Sequence, residues 1–254
     1  MHGIAESLYA RYVSQGMAKD DAYLNTSESI TGPISKSISR SGLKAVYEEL
    51  DEGEKAAFRK AYNAAYHPSR EILEEIYDDV ASGNEVRSVI QATRRHDTYP
   101  MGKIDSTDMW VVGEQVRADS QRNYAPINPE TAGTYMACMM AQVDLLKERG
   151  HPYSEIANES IIEAVDSLNP YMDYRGVSFM VDNCSTTARL GARKWASRFD
   201  YILKQQSFPA VDAGTVDDET PFDNFMSSNI HEVLKVCAEL RPSVDISVVP
   251  TRQG

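Results

Sequence analysis

The sequence predicts an all-α protein. Along most of the chain, apolar residues recur three or four positions apart among residues of high helix propensity. Strand-like apolar runs are short and few, at 110–112, 177–181 and 244–249. The spacing predicts helices near the N-terminus and over 20–31, 43–50, 53–66, 69–81, 84–96, 130–149, 153–168, 188–206 and 229–239.

The N-terminal helix is indicated by Ile4, Leu8 and Tyr12, which lie four residues apart with no capping residue before them. Because the pattern begins inside a helix, we expect the chain to be part of a longer protein. Asp20 and Asp21 are suited to begin the second helix, and the Gly32-Pro33 pair is expected to end it.

Further along, Pro68 is expected to separate two helices, while Gly83 and Gly150 follow helices as stop signals. The segment 97–130 is the least periodic part and is rich in proline, aspartate, asparagine and serine. It is therefore predicted to be a long connection between two helical halves.

The bulk composition limits the classes of function. The chain has 254 residues, of which 42% are apolar, so it can bury a core as one large domain or two smaller ones. A net charge of −12 argues against nucleic acid and anionic membranes as partners. The three cysteines form no CxxC pair, which argues against a zinc site or a disulfide framework and favours a reducing compartment. No apolar run is long enough to span a membrane.

Glu159 and Glu163 lie one turn apart on a predicted helix and therefore share a face. No Lys or Arg occurs between Arg149 and Arg175, so these carboxylates have no basic neighbour in sequence. One interpretation is an amphipathic helix with an acidic, solvated side. The other is a pair of ligands for a hard cation such as Mg²⁺, which binds oxygen atoms and needs few protein groups.

A polar turn, DNCSTT at 182–187, precedes a basic helix that contains Arg189 and Arg193. Ser185 or Thr186 can simply cap this helix. Alternatively, the hydroxyl and the free N–H groups at the helix start form a cradle for a carboxylate. The five histidines show no metal-ligand spacing and are interpreted as structural or surface residues. The cysteines are interpreted as buried small hydrophobes.

Two segments of the chain resemble each other: LNTSESITG at 24–32 and IANESIIEA at 156–164. In each, Glu-Ser-Ile follows a glycine-ended helix and a polar turn. No GxGxxG, Walker or GxSxG motif occurs anywhere, so the sequence offers no dinucleotide cradle.

Long motifs in this chain resemble the C-terminal helical region of ketol-acid reductoisomerase, in its plant-type long form. The similar strings are ESITGPISKSIS (28–39), YDDVASGNEVRSVI (77–90), PMGKID (100–105), MWVVGEQVR (109–117), MMAQVDLLKERGHPYSEI (139–156), NESIIEAVDSLNPYM (158–172), RGVSFMVDNCSTTARLGARKW (175–195) and CAELRPSVDISV (237–248). The resemblance covers almost the whole chain.

The resemblance implies a reaction and its cofactors. The family converts 2-acetolactate or 2-aceto-2-hydroxybutyrate to a 2,3-dihydroxy acid by a Mg²⁺-dependent alkyl migration and hydride transfer from NADPH, a step of valine, leucine and isoleucine synthesis. It also implies that Glu159 and Glu163 are metal ligands, with Glu163 as the candidate base. Ser185 is implied to bind the substrate carboxylate. The whole enzyme is expected to be a homo-oligomer and to lie in a plastid in plants or algae, otherwise in the cytoplasm.

The resemblance further implies a knotted all-α domain built from two duplicated units, 1–122 and 123–254. The family's NADPH-binding domain and its Asp-x-x-x-Glu metal ligands do not occur in this sequence. In the second unit, Pro129 and Gly133 stand where that acidic pair is expected, and Glu28 corresponds to Glu159. Glu28 is therefore expected to be structural, and the chain to hold about half of one active site.

Two alternatives remain open from the sequence. A truncated, non-catalytic paralogue could bind a complete enzyme, or the chain could be an unrelated acidic helical scaffold. A fragment holding only half of the metal ligands is expected to be inactive alone.

Overall fold

A computed structural model describes residues 1–119 and 127–240, and all regular elements in these two ranges are helical. The all-α prediction is confirmed. The first range contains α1 (His2–Ser14), α2 (Lys19–Tyr23), π1 (Leu24–Glu28), π2 (Ile30–Ile34), α3 (Ser35–Ser41), α4 (Leu43–Glu48), α5 (Glu52–Ala81), α6 (Asn84–Thr93) and α7 (Asp108–Ala118). Here π marks wider helical turns with i→i+5 hydrogen bonds.

The second range contains α8 (Pro129–Glu148), α9 (Tyr153–Ala157), π3 (Asn158–Leu168), α10 (Asn169–Arg175), α11 (Val177–Asn183), α12 (Thr186–Ile202), π4 (Leu203–Ser207), α13 (Phe208–Ala213), α14 (Thr220–Ser227) and α15 (Ile230–Glu239). Within the described ranges, no helix combines the length and apolar character needed to cross a bilayer.

Two expected helix breaks are wrong. Pro68 lies inside α5, which runs unbroken for 30 residues, and the proline ring is itself buried. The buried side chains on both sides of it, such as Tyr62 and Ile72, offset the lost backbone hydrogen bond. Pro33 lies within π2, and helical turns continue to Gly42, where φ is +89°. A π turn already departs from the i→i+4 pattern, so it accommodates a residue without an N–H.

The predicted connection over 97–130 contains α7, so that expectation is wrong in part. The strand-like run 110–112 lies in α7, where Met109, Val112 and Val116 form a buried helical face. The run 177–181 is likewise helical, in α11. The third run, 244–249, lies outside the described residues. Helices α3, α10, α13 and α14 were not predicted either, because each is short and tertiary packing holds it.

The two halves follow a parallel order of elements. In each, a helix ending near a glycine leads to a short helix, then to π turns (π1 and π2 in the first half, π3 in the second), two short helices separated by a positive-φ glycine, and a long helix. Both Glu-Ser-Ile segments begin in these π regions, π1 and π3. This order supports the duplication. The unit boundary at 122/123 lies outside the described residues, and it stays a prediction, as does the knot.

The halves interlock, because the first helix of each packs along the long helix of the other. Helix α8 runs parallel to α5, since Gly133 lies against Phe58 near both N-terminal ends while Tyr66 donates to Asp144 at 2.6 Å further along. Helix α1 runs parallel to the α12–α13 stretch in the same way: Gly3 lies against Ala196, and Ser7 donates to Asp200 at 3.0 Å.

Both crossings require glycine. A Cβ on Gly133 would lie 2.4 Å from the Phe58 carbonyl oxygen, and one on Gly3 would lie 2.2 Å from that of Ala196. These contacts are with backbone, so no side-chain movement can relieve them. Gly133 stands where the resemblance leads us to expect an acidic metal ligand, and it is a packing residue.

Arg117 forms a buried ion pair within the first half and also joins that half to the second. The Glu28 side chain is 1% exposed, and the Arg117 guanidinium donates to its carboxylate. Arg117 also donates to the carbonyl oxygens of Asp173 and Tyr174, at 2.7 and 2.9 Å, at the end of α10. Lys36 donates to the Asp173 carboxylate at 3.0 Å. The first half therefore fixes the end of the helix that follows π3.

Replacing Gly133 with Ala should destabilise the protein by about 1–3 kcal/mol, because the added methyl overpacks the α5–α8 contact. Gly53→Ala is a matched control, since its Cβ would lie 3.4 Å from the nearest atom, a carboxylate oxygen of Asp51. It should be neutral or stabilise by about 0.5–1 kcal/mol. Urea unfolding measures both, and equal stabilities would contradict the role of this crossing.

Replacing Arg117 with Met should cost about 3–5 kcal/mol, because it removes an ion-pair partner of the buried Glu28 carboxylate. The double variant Glu28→Gln/Arg117→Met should recover part of that loss. Arg198→Met is the control, because Arg198 pairs with Glu75 at the surface and should contribute at most about 1 kcal/mol. A loss at Arg117 no larger than at Arg198, measured by urea unfolding, would rule out a structural ion pair.

Candidate metal and substrate site

Glu159 and Glu163 both lie on the exposed face of π3. The opposite face is anchored by the buried Ser160, Ile161 and Val165. Because four residues correspond to nearly one turn, the two carboxylates extend from the same side, as the sequence spacing predicts. The backbone carbonyl of Glu159 accepts a 3.3 Å hydrogen bond from Gln142 of α8, which ties the start of π3 to the core.

The environment of the two carboxylates is acidic and open. Asn158 donates to Glu159 Oε1 at 3.1 Å. Within 1–119 and 127–240, no Lys, Arg or His side chain forms an ion pair with either glutamate. The same ranges contain no cluster of three or more Asp, Glu, His or Cys side chains able to hold a metal ion. The pair can therefore supply two oxygen ligands, and further ligands would come from other groups.

Ser185 is the N-cap of α12. Its Oγ accepts a hydrogen bond from the Ala188 N–H at 3.2 Å, and the residue is exposed. The capping interpretation of Ser185 is thus confirmed. No hydrogen bond among the described residues joins Ser185 to Glu159 or Glu163. Its hydroxyl hydrogen is not used by the cap, because the Oγ acts there only as an acceptor.

The turn before Ser185 is held by Asp182, a residue that sequence analysis missed. Asp182 is 9% exposed, and its two carboxylate oxygens accept from the Ile104 N–H at 3.1 and 3.2 Å. This contact ties the 100–107 segment to the end of α11. Ile104 and Asp182 are 78 residues apart, so no local pattern could have revealed the pairing.

The basic residues of α12 divide into two groups. Lys194 pairs with Asp79 and, at 3.3 Å, with Glu85, while Arg198 pairs with Glu75. These contacts attach α12 to α5 and α6. Arg189 and Arg193 form no ion pair with any described residue. The guanidinium groups of Arg189 and Arg193, one and two helical turns after Ser185, are therefore available to an anion.

The other sequence candidates are structural. Glu28 is buried against Arg117, as expected of a structural residue. Pro129 is the first residue of α8. His231 is buried and contacts the Phe225 carbonyl oxygen at 2.6 Å, and its burial lowers the pKa of its imidazole. His2 lies 3.0 Å from Glu6.

The cysteines differ from one another. Burial raises the pKa of the Cys138 thiol. Cys138 and Cys237 are half-buried and Cys184 is exposed, so the interpretation of all three as buried hydrophobes is wrong. Cys184 is exposed because it lies in the turn between α11 and α12, where the chain reverses at the surface.

Comparisons with known proteins agree with the sequence motifs. Residues 1–122 match the family model of the ketol-acid reductoisomerase C-terminal domain. The chain is 57% identical to the chloroplastic ketol-acid reductoisomerase of Pisum sativum and 58% identical to that of Spinacia oleracea, over 98% of its own length in both cases. It spans 44% and 43% of the lengths of these two relatives.

The mitochondrial ketol-acid reductoisomerase of Neurospora crassa is 43% identical over 32% of this chain and 20% of that relative. The similarity to the two plant proteins thus extends about three times further along the chain. The resemblance to ketol-acid reductoisomerase that the motifs indicate is confirmed.

Ser185→Ala should destabilise the protein by about 1 kcal/mol, because the Ala188 N–H loses its acceptor. Ser185→Asp should keep the stability of the native chain, since aspartate is an equally good cap and its charge suits a helix N-terminus. Thermal unfolding of the two variants checks this. Equal loss in both would show that the serine hydroxyl makes another contact essential to the fold.

Proposed function

From the resemblance to ketol-acid reductoisomerases over almost the whole chain, we propose that this chain supplies part of the Mg²⁺ and substrate site of such an enzyme. The reaction would convert 2-acetolactate or 2-aceto-2-hydroxybutyrate to a 2,3-dihydroxy acid, in branched-chain amino-acid synthesis. When bound, divalent cations would stabilise negative charge on the substrate's hydroxyl and carbonyl oxygens during the alkyl migration.

The structural observation that supports the proposal is the pair of exposed carboxylates on π3, which have no basic partner among the described residues. Two like charges one turn apart cost a helix about 0.2–0.5 kcal/mol, and lysine usually compensates on a solvated surface. A bound cation would instead balance the negative charges of Glu159 and Glu163. Mg²⁺ suits this donor set, because it is commonly held by one or two carboxylates and completes its shell with water and substrate oxygens.

Each residue has a defined task in this proposal. Glu159 holds the cation. Glu163 is a second ligand and accepts the proton of the substrate's tertiary hydroxyl, directly or through one water. Ser185 donates its free hydroxyl hydrogen to the substrate carboxylate while its Oγ caps α12. The positive end of the α12 dipole adds to the attraction for that carboxylate.

NADPH does not fit this chain alone. The sequence has no Gly-rich dinucleotide loop, and the described residues form no strand–turn–helix unit that could cradle a pyrophosphate. We therefore assign no NADPH contact to this chain, and hydride transfer would rely on groups outside it. The remaining carboxylate ligands of the cations would come from outside it as well.

Several wider assignments belong to the same proposal. The two halves are duplicated units of one knotted domain, divided near residue 122. The working enzyme is a homo-oligomer that acts on a small-molecule substrate, and its compartment is a plastid, because the two plant relatives are named chloroplastic.

The test joins this chain to the remaining N-terminal portion of the Pisum sativum relative and follows NADPH oxidation with 2-acetolactate. Glu159→Gln should lower kcat/KM by at least about 100-fold and raise the Mg²⁺ concentration needed for half-maximal activity. Glu163→Gln should lower kcat even at saturating Mg²⁺, because it also removes the base. Ser185→Asp should raise KM, since its charge repels the substrate carboxylate.

Glu155→Gln is the matched control. Glu155 is exposed on the helix just before π3, and its change removes the same charge. It should leave kcat and the Mg²⁺ requirement unchanged. A folded fusion with no activity would overturn the catalytic role and favour a non-catalytic partner of a complete enzyme. Equal losses in Glu155→Gln and Glu159→Gln would point to a general charge effect rather than metal binding.

A further inference from the structure

A second concave site lies behind π3, on the side opposite to Glu159 and Glu163. It is a cavity of about 450 Å³, enclosed by the end of α3, the start of α4, the inner face of π3 and one side of α15. Cavities of this size commonly hold small molecules. Its apolar lining consists of Ile38, Leu43, Ile161, Ile162, Val165 and Leu234.

The lining is aliphatic. Among the described residues that line it, the His231 imidazole is the only ring. Such walls favour a flexible hydrocarbon chain over a flat aromatic ligand, which gains from stacking on rings. At roughly 30 Å³ for each water-sized group, the cavity has room for about 15 non-hydrogen atoms.

Arg40, Lys44 and Lys235 supply the positive charges among the described residues of the rim, and Arg40 already has an interaction partner. Asp166 accepts from Ser39 at 2.5 Å, and Glu232 is paired with Lys235 at 2.7 Å. Lys44 is half-buried, lines the cavity and forms no ion pair with a described residue. Burial is the main cause that lowers the pKa of His231, and Lys235 is the main cause for Glu232; the Lys44 charge contributes to both shifts, so its ammonium group lies near the α15 wall.

Lys44 forms no ion pair with a carboxylate among the described lining residues. Glu48, one turn further along α4, is exposed and makes no ion pair with it. Burial keeps the pKa of His231 low, so this imidazole adds no positive charge at neutral pH. The cavity thus combines an aliphatic interior with the Lys44 ammonium group at its rim, which has no ion-pair partner among the described residues.

We propose that this cavity binds a medium-chain aliphatic carboxylate. The hydrocarbon chain would lie on Ile161, Val165 and Leu234, and the carboxylate would meet the Lys44 ammonium. This site is separate from the proposed metal pair and does not rest on it. A ligand with about ten non-hydrogen atoms, such as octanoate, should bind with a Kd of about 0.1–1 mM.

Cys237 lines the cavity, so the alkylation rate of its thiol reports whether a ligand is bound. Alkylation of the full chain by iodoacetamide, followed by mass spectrometry, gives a separate rate for each thiol. Saturating octanoate, at concentrations where it is monomeric, should slow Cys237 alkylation at least about fivefold. Cys184 is exposed and outside the cavity, so its rate should not change. Isothermal titration calorimetry gives the affinity.

Two variants test the assignment of the two ends of the ligand. Lys44→Met should weaken octanoate binding about 5–10-fold and leave binding of the uncharged 1-octanol unchanged. Lys147→Met is the control, because Lys147 is exposed, lacks an ion-pair partner among the described residues and lies away from the cavity. Leu234→Trp should fill the cavity and abolish binding of both ligands; Ile162→Trp serves if that variant fails to fold.

The proposal is overturned if octanoate up to 10 mM, about ten times the upper expected Kd, gives neither heat nor protection of Cys237. Equal protection of Cys184 and Cys237 would also overturn it, because that result indicates non-specific association. Unchanged octanoate affinity in Lys44→Met would refute the carboxylate contact. Protection of Cys237 that disappears in Leu234→Trp and weakens in Lys44→Met supports the site as proposed.

Discussion

The fold depends on two close helix crossings at which glycine lets backbone touch backbone. At Gly133 and Gly3, a helix from one half lies directly against the long helix of the other half. Any side chain there would separate the helices and open the core that they enclose. Each crossing therefore joins opposite halves of the chain. The two sequence halves that contain the repeated Glu-Ser-Ile segment therefore pack closely against each other.

Much of the helical content could be predicted because periodic burial is a local property. The helices over 53–66, 69–81 and 130–149 were found, although the first two proved to be parts of α5. The errors share a cause: a local signal was outweighed by tertiary packing. Pro68 is tolerated because α5 is buried on both sides of it, and the valines at 111–112 belong to a helix that packs on Tyr23 through Gly113.

The candidate site shows the same division between local and long-range information. The shared exposed face of Glu159 and Glu163, and the cap at Ser185, follow from spacing within a few residues. The contacts that hold these residues in place could not be predicted from the sequence. Asp182 meets Ile104, and Arg117 joins Glu28 to the end of α10, through pairings that only the folded chain creates. The roles of the three site residues rest on the resemblance, since exposure alone also fits a solvated acidic helix.

The π3 helix is the element on which the two proposed sites meet. Its outer face carries Glu159 and Glu163, and its inner face contributes Ile161 and Val165 to the cavity. A ligand that packs against these inner side chains contacts the same helical turns that orient the Glu159 and Glu163 carboxylates. If a cation changes the affinity of the cavity for its ligand, linkage requires the ligand to change the affinity for the cation by the same factor. Wide π turns are often found at functional sites, and here one such segment separates two chemically different surfaces by the thickness of a single helix.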